Sequence, residues 1–244
     1  MEKPIVLFSI FVLLLFSCKK ENKGDCIKSH GAETTQFIDL KEYSIIKIKG
    51  HVNVTIKPNQ NTIAEITGGK NVLPLIQCEV IDDTLFIDNT NTCNWVRSYD
   101  REVSITLFLD LLDGIVNGST GKLTSTDTIH SKTFTLVGQP MNGETSLSLS
   151  ANQLNFNYLD GTSTVYLSGQ VNTANYYYKS LGYIDATDLI TNETIINHRG
   201  TGDISVFCTN YLLGTISKTG DVYYLGNPKT IKVETLSSGE LIQK

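Results

Sequence analysis

Three acids recur near the end of the chain, each directly after a glycine: Asp203, Asp221 and Glu240 follow Gly202, Gly220 and Gly239. A fourth, Asp185, stands two places further along its own period, after Gly182. Carboxylates gathered on one surface can hold a cation, grip sugar hydroxyls, or share acid and base roles in glycoside cleavage. The last role needs two carboxyl groups in unlike surroundings, and these acids have similar contexts. Without a ligand they are solvated turn residues. Tyr166, Tyr183 and Tyr223 fall on neighbouring outward positions. Exposed tyrosines on a rigid sheet offer flat amphipathic surface for stacking on sugars or packing on proteins, although aromatics are also good strand residues. A third group is Cys93, Trp95, Arg97 and Tyr99, which strand alternation puts on one face. Arg97 could stack on a ring there, and a stabilising role is expected. The chain has no HExxH, G-x-S-x-G or P-loop motif, and no cofactor is implied.

These side chains need a scaffold, and the spacing describes one. With the turn residue as reference, seven periods start at Gly121, Thr145, Ser163, Gly182, Gly202, Gly220 and Gly239, spaced 24, 18, 19, 20, 18 and 19 residues apart. Two places on, every residue is aliphatic: Leu123, Leu147, Val165, Ile184, Ile204, Val222 and Leu241. Four places on, most are apolar, and odd offsets are mostly polar or aromatic. That is the period of two of a half-buried strand. A strand that recurs every 18–20 residues cannot bury its inward face alone. Stacking buries it. The expected fold is all-β: a right-handed parallel β-helix-like solenoid with 18–20-residue coils, rather than an antiparallel sandwich. A second strand-like segment falls inside each period. Before residue 110 the pattern loosens, with two strands around an Asp82-Asp83 turn. This part is expected to form irregular coils and hairpins capping the stack. The last strand keeps an inward Leu241 with no polar capping segment after it. An open edge pairs with an arriving strand, so the C-terminal coil is expected to mediate self-association or to bind a partner strand.

The totals agree. Only 18% of residues are charged, and 19 are glycine, which suits a turn-rich β protein. Net charge is −5, with no basic cluster beyond Lys19, Lys20 and Lys23, which excludes nucleic acid as a partner. The apolar run Ile5–Phe16 is too short to span a bilayer, which takes about 20 residues. It fits a signal peptide ending in Leu15-Phe16-Ser17-Cys18, similar to a bacterial lipobox. Residues 1–17 are therefore expected to be cleaved, Cys18 to carry lipid, and 18–36 to form the lipidated tether of a single domain, 37–244. Four cysteines remain (Cys26, Cys78, Cys93 and Cys208), and outside the cytoplasm disulfides are allowed. No C-x-x-C pair exists and the four histidines are scattered, so no metal site is expected. Cys208 sits in a repeat strand as a small core residue.

The segments "SIIKIKGHVNVTIKPNQ", "KNVLPLIQCEVIDDTLFID" and "TCNWVRSYDREVSITLFL", followed by Gly-led strands to the end, resemble the auto-transporter adhesins with a head GIN domain, a bacterial envelope family. The resemblance covers about residues 37–244. It implies a β-helix-like fold and envelope location. It also implies a disulfide between Cys26 and Cys93, with Cys78–Cys93 as the alternative pairing. The expected protein is a non-enzymatic outer-membrane lipoprotein of the bacterial cell envelope, facing the periplasm or the outside. Its solenoid would present Tyr166, Tyr183, Asp185, Asp203, Asp221, Tyr223 and Glu240 to a glycan or protein ligand. The alternatives are a polysaccharide-degrading enzyme on the same scaffold and a purely structural envelope component.

Overall fold

The computed structural model describes residues 30–59, 61–91 and 102–244. Among these residues sixteen strands form a β-solenoid of about six turns. The five long coil strands are β9 (Leu123–Gly138), β10 (Thr145–Tyr158), β11 (Thr164–Tyr178), β12 (Tyr183–His198) and β13 (Ile204–Ile216). Each pairs in parallel with the next. The two strand-like segments expected in each period are thus one continuous strand serving two faces. The first part of β9 pairs with β3 (Asn53–Pro58), and its second part with β8 (Gly114–Ser119).

The change of face is visible in the burial pattern. In β10, Thr145, Leu147 and Leu149 point inward, then Leu154, Phe156 and Tyr158. The parity flips from odd to even at the corner, so a simple period of two cannot be carried from one face to the next. The inward side chains of both faces form one continuous apolar core. Burying each Val, Leu or Phe contributes about 1.5–3 kcal/mol.

The register corrects the phase of one coil. Leu123 pairs with Thr145, and Thr145 with Val165. The second turn residue is therefore Gly143, two places before the expected Thr145. Thr145 takes the aliphatic column's place there, fully buried, its hydroxyl 3.4 Å from the Met141 sulfur and 3.2 Å from the Asn117 amide that donates to it. Leu147 still points inward, one pleat further on. The other columns hold: Val165, Ile184, Ile204 and Val222 are buried, and Leu241 is partly so.

The turn column is packed backbone to backbone. A Cβ added at Gly182, Gly202, Gly220 or Gly239 would lie 1.8–2.3 Å from a carbonyl oxygen of the preceding turn. Behind this column stands a row of buried rings. Tyr158 Oη donates to the Ser163 carbonyl (2.9 Å), Tyr178 Oη to the Gly182 carbonyl, and His198 Nε2 to the Gly202 carbonyl (2.9 Å). Tyr158 and Tyr178 rings lie 5.6 Å apart, Tyr178 and His198 4.8 Å apart. Each ring ties the end of one coil to the turn that follows it. The sequence pattern did not single out this row.

The first half does more than cap the stack. β1 (Glu33–Asp39), four residues ahead of the expected boundary, pairs antiparallel with β4 (Ile63–Gly69). β4 pairs antiparallel with β7 (Ser104–Leu109), and β5 (Ile76–Ile81) with β6 (Thr84–Asn89). These antiparallel strands close one end. The β5–β6 hairpin turns on Asp82 and Asp83, both at positive φ (45° and 62°), and the Asp83 carboxylate accepts the Ser44 amide (2.9 Å). However, β2 (Ile45–Gly50) lies between β6 and β8, and β3 between β7 and β9. An early rung is thus inserted between later ones, in parallel with both neighbours.

Candidate functional site

The outward positions of the first face bring the predicted residues together. Strand pairing sets Tyr166, Asp185, Ser205 and Tyr223 in one row, with Thr164 and Tyr183 paired beside them. Five of the seven residues expected to form a ridge line one open groove of about 270 Å³: Tyr166, Tyr183, Asp185, Asp203 and Tyr223. Thr164, Ile184, Ser205 and Lys244 complete it. The surface is a groove rather than a ridge because smaller Thr164 and Ser205 separate the larger side chains. Tyr166 and Tyr183 are half exposed, at 44% and 54%. Asp221 and Glu240 lie outside the groove lining, although the Tyr223 hydroxyl donates to Asp221 across 3.4 Å. Lys244 is the lining residue that the strand pattern could not place: its Nζ sits 4.1 Å from the Tyr223 ring centroid, a cation–π contact.

Like charges stacked on neighbouring coils repel unless something offsets them. The chain itself supplies the offset. Asp203 Oδ1 accepts the Asp221 amide (2.9 Å), and Asp221 Oδ1 accepts the Glu240 amide (2.8 Å). Asn53 does the same for the Lys122 amide (2.8 Å). Asp203 and Asp221 therefore each join their coil to the next, and hydrogen bonds to an ionised acceptor are the stronger kind. Asp185 Oδ1 is held by the Thr187 amide (3.1 Å) and hydroxyl (2.7 Å). Partial burial, then the carboxylates of Asp203, Asp221 and Glu240, raise the Tyr223 pKa above its ordinary value, so the phenol stays a neutral donor. Among the described residues no group of three His, Cys, Asp or Glu is placed to hold a metal ion.

Cys18, Cys26, Cys93, Trp95, Arg97 and Tyr99 lie outside the described residues. Among the described residues Cys78 and Cys208 carry free thiols. Cys208 is buried, with Sγ 3.2 Å from the Tyr211 carbonyl, and fills the core column. Burial pushes the Cys78 thiol up to about 11, so it is un-ionised at neutral pH. At the C-terminal end, β15 (Thr230–Thr235) pairs with β13, and β16 (Leu241–Gln243) with β14 (Val222–Leu225). Among the described residues neither has a partner on its other side.

Solved structures share this fold. A putative adhesin from Bacteroides fragilis NCTC 9343 superposes with a TM-score of 0.81 at 21% identity, covering 89% of this chain and 100% of that one. A putative adhesin from Parabacteroides distasonis ATCC 8503 gives 0.66 at 16% identity, with 89% and 100% covered. A putative lipid binding protein from the same Parabacteroides strain gives 0.60 at 17% identity, with 89% and 99% covered. Among curated proteins none matches the chain. The sequence profile of one family matches residues 42–228, from the first inward strands to the penultimate coil, and on that match the chain belongs to the putative auto-transporter adhesins with a head GIN domain.

Proposed function

We propose that this protein is a lipid-anchored, non-enzymatic component of the bacterial envelope that binds glycan in the tyrosine–aspartate groove of its first face. One observation carries the reading: Tyr166, Tyr183 and Tyr223 converge with Asp185 and Asp203 in a single groove on a rigid sheet. Tyrosine faces stack on the C–H surfaces of sugars, and fixed carboxylates accept from their hydroxyls. The two aspartates are alike, both half-buried and both hydrogen-bonded by backbone amides. That supports binding over acid–base catalysis, which needs unlike carboxyls. The adhesin family and the adhesin-like solved structures support a role at the cell surface. Screening the chain on a glycan array, then titrating the best ligand into Tyr183→Ala and Tyr223→Ala, tests the site. Binding is expected to fall at least about tenfold, and Tyr183→Ala, whose ring is 54% exposed, should change stability by less than about 0.5 kcal/mol. Unchanged affinity in both variants removes the groove from the account.

The anchor rests on Cys18 and the apolar run before it. Lipid chains at Cys18, more than one being needed for stable attachment, would hold the solenoid at the outer membrane by a short polar tether. Cys18→Ala is expected to accumulate as an uncleaved precursor. Normal maturation with unchanged membrane partitioning would contradict the anchor.

A further inference from the structure

A second concavity lies where the long strands turn from the first face to the second. Its volume is about 490 Å³, larger than the tyrosine groove and within the roughly 300–1,000 Å³ of small-molecule sites. It runs along the solenoid axis across three coils, β10 to β12, and reaches Thr209 of β13. Ala151, Val171 and Thr191 stack in register along its floor. Ser150, Gln170 and Ile190, also in register, form one wall. Asn152, Asn172 and Asn192, spaced 20 residues apart, form the other. Although the protein carries a net charge of −5, no charged side chain lines this trough.

Several polar side chains of the trough are unpaired among the described residues. Outside the trough Gln153 donates to Asn155 (2.8 Å) and Asn175 to Asn155 (3.0 Å), and at the trough's own end Asn192 accepts from Asn210. In the trough, the side chains of Ser150, Asn152 and Gln170 make no hydrogen bond among the described residues, and Asn172 makes only a 3.5 Å contact with adjacent Thr173. The backbone beneath is already paired to the coils on both sides, so an arriving peptide strand finds no free ladder. A ligand must be read by side chains. We propose that this corner trough binds a neutral, linear oligosaccharide lying along the solenoid axis, at a site separate from the tyrosine groove. Exposed Ile190 and part-exposed Ala151 suit the apolar faces of sugar rings. The free amides and hydroxyl each offer donor and acceptor to hydroxyl pairs. Neighbouring coils stand about 4.8 Å apart, so the three coils present about 10 Å of repeated contacts.

Isothermal titration of the full chain in detergent tests this, using neutral linear oligosaccharides of glucose, mannose and N-acetylglucosamine, from single sugars to hexasaccharides. A hyaluronan hexasaccharide is the charged comparison. Affinity for a neutral series is expected to rise with length until the trough is filled and then level off, with hyaluronan much weaker. The double variant Asn152→Ala/Gln170→Ala should weaken binding about tenfold, while Gln36→Ala, an exposed amide that lines neither site, leaves it unchanged. Absence of binding by every neutral series at millimolar concentration overturns the proposal. So does binding that Tyr183→Ala abolishes and the corner variant spares, which assigns the sugar to the tyrosine groove instead. Both altered side chains are on the surface, and a thermal melt matching wild type is expected, which separates loss of binding from loss of structure.

Discussion

Gly202→Ala is expected to cost about 3 kcal/mol or more, or to prevent accumulation of folded protein, although it adds one methyl group. The added carbon would lie 1.8 Å from the Gly182 carbonyl oxygen and 2.3 Å from Tyr178 Oη. Neither neighbour can yield cheaply. The carbonyl belongs to the turn below, and the hydroxyl is bonded to that same carbonyl. Moving the turn outward would break the ladder that starts at Ile204. The chain contains its own exception in this column: Ser163 has a Cβ, and its hydroxyl donates to the Gly143 carbonyl, replacing close approach by a hydrogen bond. Urea unfolding of Gly202→Ala beside Thr201→Ala, an exposed position in the same turn, isolates the effect. Thr201→Ala should change stability by less than about 0.5 kcal/mol. A loss at Gly202 below about 1 kcal/mol would mean that the turns are not close-packed as described.

The second large effect is expected in the ring row. Tyr178 is fully buried, and Tyr178→Ala should cost about 3–5 kcal/mol through lost burial and the cavity left behind. Tyr178→Phe keeps the ring but leaves the buried Gly182 carbonyl without its hydroxyl donor, at about 1–3 kcal/mol. Denaturant melts that place Phe level with wild type would show that the hydroxyl ties nothing together. His198, one coil on, makes the row pH-sensitive. Burial lowers its pKa below 6.5, and its Nδ1 has no partner among the described residues. The unfolded chain therefore binds the proton more tightly. This contribution is complete above pH 6.5 and lost as pH falls through the depressed folded value. The slope of stability against pH in that window should flatten in His198→Phe. An identical slope would place the titration elsewhere.

Much of this was legible in the chain because a solenoid repeats its environment. Ile184, Ile204 and Val222 meet the same surroundings at successive levels, so residue type recurs with the coil and the inward face can be read from offsets alone. The tyrosines and aspartates of the groove share that legibility, since a residue known to point outward on one coil lies over its counterpart on the next. The Asp82-Asp83 hairpin was also local: two short polar residues that tolerate positive φ between two apolar runs.

What escaped depends on contacts with no sequence period. Thr145 was misplaced by two residues because Leu147 offered an equally aliphatic match, and only pairing with Leu123 and Val165 decides between them. The ring row of Tyr158, Tyr178 and His198 mixes residue types joined by one act, donating to a turn carbonyl, which composition does not reveal. The insertion of β2 and β3 between later rungs has no local signal, since any parallel strand with an inward aliphatic face fits any gap in the stack. The same holds for the carboxylates. Their spacing placed them above one another by itself, but charge alone predicts repulsion. Only the tertiary structure shows Asp203 and Asp221 each accepting an amide of the following coil, because that bond depends on a stacking distance and a side-chain direction that a linear pattern does not contain.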